Sequence, residues 1–384
     1  MLRSVTFVAF ACCATARIAQ HGQPHALVPE ALQQQQREKV AVHEDGGVTI
    51  EEEGEADEAA TRVRPLCAVG DMHGDPHHAF EALRLCGAVD ESASWVGGTM
   101  TVVQVGDVFD RGNQSVALQS LLWKVREEAA AAGGELKLLL GNHELLNMQG
   151  RLFYVHGFSR SGYHTGELAQ YGGASAWQRA LSPRDGELGR KINEHDGLAI
   201  RGEGACRSLF LHAGLRSHIA VQYGSVDAIN LELRRQIESG KGELLDAQNG
   251  PLWFRGYARP GASEERACTE LQQTLEAVGD EPARMVVGHN IVPWVSSRCG
   301  GSLQMIDVGM SGAYGGRPAA WRCELDDTGE AVVRALYREG EEEPPPLCAR
   351  CAEKLKLHRA LGDVLSPDDV QDCLQYCPHT YARI

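Results

Sequence analysis

The chain has 384 residues, of which 43% are hydrophobic, and a formal net charge of -15. That length exceeds a typical single domain of roughly 100 to 200 residues and suits one large domain with terminal extensions. The acidic balance excludes a general electrostatic grip on nucleic acid or on an anionic membrane, so any anionic ligand must be attracted locally, by metals or well-placed arginines.

The N-terminus opens with Met1-Leu2-Arg3, runs through the apolar stretch Val5 to Ala14, and reaches Ala14-Thr15-Ala16. This pattern predicts a cleaved signal over residues 1–16 and a secretory or organelle-lumen location, with a transit peptide or an uncleaved N-terminus as the alternatives. The stretch is too short to span a membrane, which needs about 20 apolar residues, and no other segment reads as a membrane span. Residues 17–62 contain Gln33-Gln34-Gln35-Gln36 and an acidic run from Glu51 to Glu58, with no sustained periodicity. They read as a flexible acidic linker.

From Val63 the pattern alternates: a strand over Arg64–Val69, a helix over Pro76–Leu85, a strand over Met100–Val105, a helix over Gln114–Ala131 and a buried strand over Leu136–Leu140. Alternation of this kind predicts βαβ units, an α/β fold, and ligands at the carboxyl ends of parallel strands. The segment Phe153 to Glu194, rich in Gly, Ser, His and aromatics, reads as loops and short helices capping the site. Further strands are expected at Leu198–Arg201, Ser208–Leu211, Met285–Val287, Leu303–Ile306 and Ala331–Leu336. The domain then closes at about residue 338, a Glu/Pro linker follows over 339–346 because consecutive prolines stop regular structure, and a small module occupies 347–384.

Successive apolar runs end in the same kind of motif. The first ends in Gly70-Asp71-Met72-His73-Gly74, the second in Gly106-Asp107-Val108-Phe109-Asp110-Arg111-Gly112, the third in Gly141-Asn142-His143-Glu144. Two later runs end in His212 and His289. Asp71 and His73, two positions apart on extended chain, point to one side and can share a metal. Glycine lets the backbone turn sharply beside a ligand. Five strand ends delivering Asp, His, Asp, Asn, His and His form a mixed oxygen and nitrogen set suited to manganese, iron or zinc in a two-metal site, with Asp107 as the natural bridging carboxylate.

These three signatures, G-D-x-H-G, G-D-x-x-D-R-G and G-N-H-E in that order, resemble the phosphoprotein phosphatase superfamily of calcineurin-like metallophosphoesterases. Asn147-Met148-Gln149-Gly150-Arg151-Leu152-Phe153-Tyr154-Val155 and Ile306-Asp307-Val308-Gly309-Met310-Ser311 are similar to its Shewanella-like protein phosphatase branch. The resemblance implies an αββα sandwich with a dinuclear metal site at strand carboxyl ends. It implies a first metal on Asp71, His73 and Asp107, and a second on Asp107, Asn142, His212 and His289, with manganese the metal expected in vitro. It further implies attack on a phosphorylated protein substrate by a metal-bridging hydroxide. His143 is the implied general acid, oriented by Asp110, and Arg111, Asn142 and Arg255 are the implied phosphate-binding groups. Glu144 is read as a structural partner near His143. Two other readings remain open: a dinucleoside tetraphosphatase or phosphodiesterase of the same fold, and a catalytically silent scaffold.

Of the twelve cysteines, Cys348, Cys351, Cys373 and Cys377 flank two helix-like stretches. They read as a helical hairpin stapled by two disulfides or as a four-thiolate zinc knuckle, and the module as a candidate docking surface for a partner. Cys206, Cys268, Cys299 and Cys323 are open between thiols and bridges. Cys67 and Cys86, in apolar surroundings, read as buried thiols.

Overall fold

The computed structural model describes residues 64–258 and 263–338, together with the backbone of two short strands, β1 (Val40–Val42) and β2 (Val48–Ile50). The expected signal, the Glu/Pro linker and the C-terminal cysteine module lie outside the described residues. β1 and β2 pair antiparallel inside the segment read as a linker. Their alternating β-branched residues, Val40, Val42, Val48 and Ile50, suit extended pairing, a signal too short to stand out beside the acidic run.

The first large sheet has the order β12-β11-β3-β4-β5. It comprises β3 (Leu66–Val69), β4 (Thr101–Gln104), β5 (Glu135–Leu138), β11 (Ala320–Leu325) and β12 (Ala331–Leu336). β3, β4 and β5 are parallel, while β11 returns antiparallel to β3 with Cys323 opposite Leu66. The second sheet has the order β6-β7-β8-β10-β9. Its strands are β6 (Leu198–Arg201), β7 (Ser208–Leu211), β8 (Arg284–Val287), β9 (Ser296–Arg298) and β10 (Leu303–Met305). β7, β8 and β10 are parallel, with antiparallel strands on both edges.

Strand alternation sorts side chains into two cores. Leu66 and Ala68 of β3, Val103 of β4, Phe210 of β7, Val286 of β8 and Trp321 of β11 meet between the sheets. Their neighbours Cys67, Val69, Val102, Leu209, Leu211, Met285 and Val287 point outward into helices. On the first sheet those helices are α1 (Pro76–Leu85) and α2 (Ser115–Ala131); on the second they include α7 (Ser217–Tyr223), α8 (Val226–Ser239) and α9 (Glu264–Ala277). The result is the αββα sandwich expected from the sequence. The sequence reading lacked β9, β11 and the helices α7 to α9.

Between the sheets the chain runs through α3 (Asn142–Met148) and then a cap of three short helices, α4 (Gly166–Gln170), α5 (Ala174–Ala180) and α6 (Glu187–Asn193). Among the described residues no helix is long and apolar enough to cross a membrane.

The reading of Cys67 and Cys86 as thiols is corrected: they form a disulfide with Cα atoms 5.9 Å apart. Cys67 faces the helix side of β3, where the C-terminal end of α1 brings Cys86 within bonding reach, and spacing along the chain carries no trace of that approach. Two further disulfides join Cys206 to Cys323 across the sandwich and Cys268 of α9 to Cys299.

Candidate active site

The motif loops leave the carboxyl ends of β3, β4, β5, β7 and β8 and converge on one point. Their backbone is held in an uncommon conformation: His73, Asp107, Asp110, Arg111 and His289 all have positive φ, between 43° and 73°. For residues with side chains this costs energy and persists only when surroundings enforce it. The enforcement is visible. The main-chain carbonyl of Asp107 accepts from the amides of Met72 at 3.0 Å and His73 at 2.9 Å. The buried Glu144 carboxylate accepts from four amides, those of Asp107 (2.9 Å), Val108 (2.9 Å), Phe109 (3.1 Å) and Gly141 (2.7 Å). Glu144 thus has the structural role assigned to it from the sequence. Two glycines are required by close approach: a Cβ at Gly288 would strike the Asp71 carboxylate, and one at Gly141 the Asp107 carboxylate.

Two groups of side chains could each hold a cation: His73, Asp107 and His143 form one, and Asp107, His212 and His289 the other, with ligand atoms of each group within 4.8 Å of one another. Asp107 belongs to both. Asp71 lies alongside, with Oδ2 4.0 Å from His73 Nε2 and its carboxylate accepting from the His289 amide at 3.1 Å. Asn142 Oδ1 is 2.8 Å from His212 Nε2.

The tautomers show that this geometry fits metal ions. His212 Nδ1 is 3.0 Å from the carbonyl oxygen of Val105, and His73 Nδ1 is 3.0 Å from that of Phe109. A carbonyl can only accept, so each Nδ1 carries a hydrogen, which leaves each Nε2 as the atom that, in the neutral imidazole, offers a lone pair to a cation. His212 Nε2 faces two acceptor oxygens, Asn142 Oδ1 and Asp107 Oδ2, the latter at 3.3 Å, with the His289 Nδ1 atom 3.1 Å away. Acceptors converging in a buried space call for a cation between them. Electrostatics agree. Burial, then the neighbouring charges of Asp307 and Asp107, push Asp71 well above the ordinary carboxylate range. Burial raises Asp307 to about 6 and lowers His73 to about 4. A divalent cation would favour ionised carboxylates and neutral imidazoles at these positions.

His143, a member of the first group, has Nε2 3.9 Å from Asp107 Oδ2, while its Nδ1 donates to Asp110 Oδ2 at 2.6 Å. Burial alone would depress its pKa, but the carboxylates of Asp107 and Asp110 outweigh that and hold it above the ordinary value. At the mouth, the exposed Arg111 guanidinium lies 4.2 Å over the ring of Tyr154 and 5.9 Å from that of Tyr314. Arg255 donates to the His289 carbonyl at 2.7 Å and to Asn290 Oδ1 at 3.0 Å, which brings it to the edge of the same cluster.

All the site residues expected from the sequence are therefore gathered in one place. Sequence reasoning gave no role to Asp307, Asn147, Tyr154 or Tyr314. Asp307 directly follows a strand region, as the other motif aspartates do, and Asn147 stands one helical turn from His143 on α3; those were the available signals.

A calcineurin-like phosphoesterase family model matches residues 64–304. The chain belongs to that family. It is 30% identical to Shewanella-like protein phosphatase 2 of Arabidopsis thaliana, over 71% of this chain and 79% of the relative. It is 29% identical to Shewanella-like protein phosphatase 1 of Plasmodium berghei, over 73% and 76% respectively. The crystal structure of a cold-active protein-tyrosine phosphatase from a psychrophilic Shewanella species shares the fold, with a TM-score of 0.57 at 22% identity over 71% of this chain and 80% of that one. Membership in the family makes this chain a hydrolase of phosphoester bonds.

Proposed function

We propose that this chain is a metal-dependent phosphoprotein phosphatase acting on phosphomonoesters. The observation that carries the reading is the His143–Asp110 pair: an imidazole fixed by a 2.6 Å hydrogen bond lies among the side chains of two groups that could each hold a cation. Asp71, His73 and Asp107 would hold one metal, and Asp107, Asn142, His212 and His289 the other, with manganese the ion expected to support activity in vitro and iron or zinc as alternatives. Such metals supply Lewis acidity and an activated water at neutral pH.

The protein's own groups do the rest. Arg111 forks onto the phosphate oxygens, a geometry that suits a guanidinium. Arg255, at the edge of the cluster, is the second phosphate contact, and Asn142, whose Oδ1 lies 2.8 Å from His212 Nε2, would offer that oxygen to the metal and its NH₂ to the same anion. His143 donates its Nε2 proton to the departing ester oxygen, and Asp110 keeps the ring aimed and stabilises its charge. The names of the relatives support a phosphoprotein as substrate.

The test is phosphate release from phosphotyrosine and phosphothreonine peptides, and cleavage of a dinucleoside tetraphosphate, by metal-stripped protein with and without Mn²⁺. Metal-dependent release from a peptide supports the reading. Cleavage of the dinucleotide alone moves the enzyme to nucleotide substrates, and no turnover of any substrate leaves a scaffold.

Three disulfides in the catalytic domain support maturation in an oxidising secretory or organelle lumen, since cytosolic thiols are kept reduced. Intact mass after alkylation of unreduced, denatured protein measures this; six alkylated cysteines in the catalytic domain would refute it.

A further inference from the structure

We infer that Trp177, on helix α5 of the cap, is a positioning residue that aims the His143 imidazole through Asn147. This deepens the phosphoester hydrolase reading and rests on it for its kinetic consequence. Trp177 is fully buried. Its indole Nε1 donates to Asn147 Oδ1 at 2.6 Å. Asn147 Nδ2 in turn donates to Asp110 Oδ1 at 2.9 Å and to the His143 carbonyl at 2.9 Å. The remaining Asp110 oxygen, Oδ2, accepts from His143 Nδ1 at 2.6 Å. An unbroken chain of hydrogen bonds therefore runs from the cap to the proton donor.

The direction of each bond is forced. An indole N–H can only donate, so the amide oxygen of Asn147 must face it and the NH₂ must face Asp110. Asp110, a carboxylate, can only accept from the other side. With both ends of the amide occupied in the one compatible sense, Asn147 has no freedom to turn, and Asp110 presents a single orientation to His143. Bonds linked in this way reinforce one another in a low-dielectric interior.

The cap is well placed to serve as the anchor. The Trp177 ring packs edge-on against Phe109 at 6.2 Å and Tyr171 at 5.2 Å. Gln178, next on α5, donates to the Gly150 carbonyl at 3.1 Å just beyond α3. Glu167 of α4 accepts from the Val116 amide at 3.0 Å in the first turn of α2. The alternative is that Trp177 only fills space. Trp177→Phe separates the two, because it keeps a ring in the packing and removes only the N–H.

The experiment has two arms on the full chain. In zinc-loaded protein, which is diamagnetic, the low-field proton resonance of His143 Nδ1–H is identified by its loss in His143→Ala and then followed in Trp177→Phe, where it is expected to shift and broaden. With Mn²⁺, kcat is measured on phenyl phosphate, whose leaving group needs a proton, and on p-nitrophenyl phosphate, whose leaving group scarcely does. Trp177→Phe is expected to lose roughly tenfold on the first, in the range seen for residues that orient a functional group, and no more than about threefold on the second. Asn147→Ala is expected to give the same unequal pattern and stands in if Trp177→Phe does not fold. An unmoved resonance, or equal losses on the two esters, overturns the inference. A resonance that moves in protein whose wild type hydrolyses neither ester leaves the positioning intact and removes the hydrolase reading instead.

Discussion

Glu144 and Asp107 are bound to each other through the main chain: the Glu144 carboxylate takes the Asp107 amide at 2.9 Å while Asp107 itself sits at a φ of 57°. The acid that closes G-N-H-E thus holds the loop that carries Asp107, the carboxylate common to both candidate cation groups. Glu144→Gln keeps the shape but replaces one acceptor oxygen with a donor facing amides. Loss of hydrogen bonds to a charged group predicts destabilisation of about 2 to 3 kcal/mol and reduced metal occupancy. Denaturant unfolding together with metal analysis checks both; a variant with wild-type stability and full metal content contradicts the role.

Asp107→Asn and His212→Ala should lose metal and turnover together, because both side chains face the convergence of acceptors around His212 Nε2. His143→Ala should keep both metals and lose roughly 10²- to 10⁴-fold in kcat, the usual worth of a general acid. Elemental analysis and kinetics on the same samples separate the two classes, and a His143→Ala protein empty of metal would make His143 a ligand.

His195 offers a pH test away from the site. It is fully buried and accepts from Trp123 Nε1 at 3.1 Å, and burial, with Arg126 and Lys137 nearby, lowers its pKa from 6.5 to about 3. The unfolded chain therefore binds a proton that the folded chain refuses. The stabilisation from this group is complete above pH 6.5 and is lost as the pH falls toward about 3, at up to about 1.4 kcal/mol per pH unit. His195→Gln, which can still accept from Trp123, should flatten the acid side of the stability curve. Equal slopes for wild type and variant between about pH 6 and about pH 4, inside the window between the two pKa values, would show that His195 is not the group responsible.

The disulfides should differ in worth according to the loops they close. Cys206–Cys323 spans 117 residues and Cys67–Cys86 only 19. Loop-closure entropy predicts about 5 kcal/mol for the first and about 3 kcal/mol for the second. Paired alanine variants measured by chemical unfolding test the ranking, and the reverse order would point to packing rather than chain entropy.

The strand ends of the candidate site were legible in the sequence because each couples a short apolar run to glycine and then to a ligand-type residue, a pattern that points to fold and chemistry together. β11 was not legible in this way: Ala320–Leu325 mixes Arg322 and Glu324 with its buried side chains, and its partner β3 lies at the far end of the domain. The Cys67–Cys86 bond stayed hidden for a related reason, since apolar surroundings suit a thiol and a disulfide equally. Asp307 left only the weak signal of an aspartate after a strand, and the Trp177–Asn147 contact depends on tertiary placement that no local spacing encodes.

The pairing of β3 with β11 also dictates the order in which this molecule can be completed during synthesis. Leu66 leaves the ribosome well before its partner Cys323, so until β11 is made β3 stands as an open edge beside the parallel strands β4 and β5. Such an edge invites pairing with other chains. His212 and His289 also arrive late, which leaves the nascent Asp71 and Asp107 without their full set of partners. Productive folding thus waits for β11, and a chain stopped before it would carry the G-N-H-E signature intact and yet have neither the β3–β11 pairing nor the disulfide from Cys206 to Cys323.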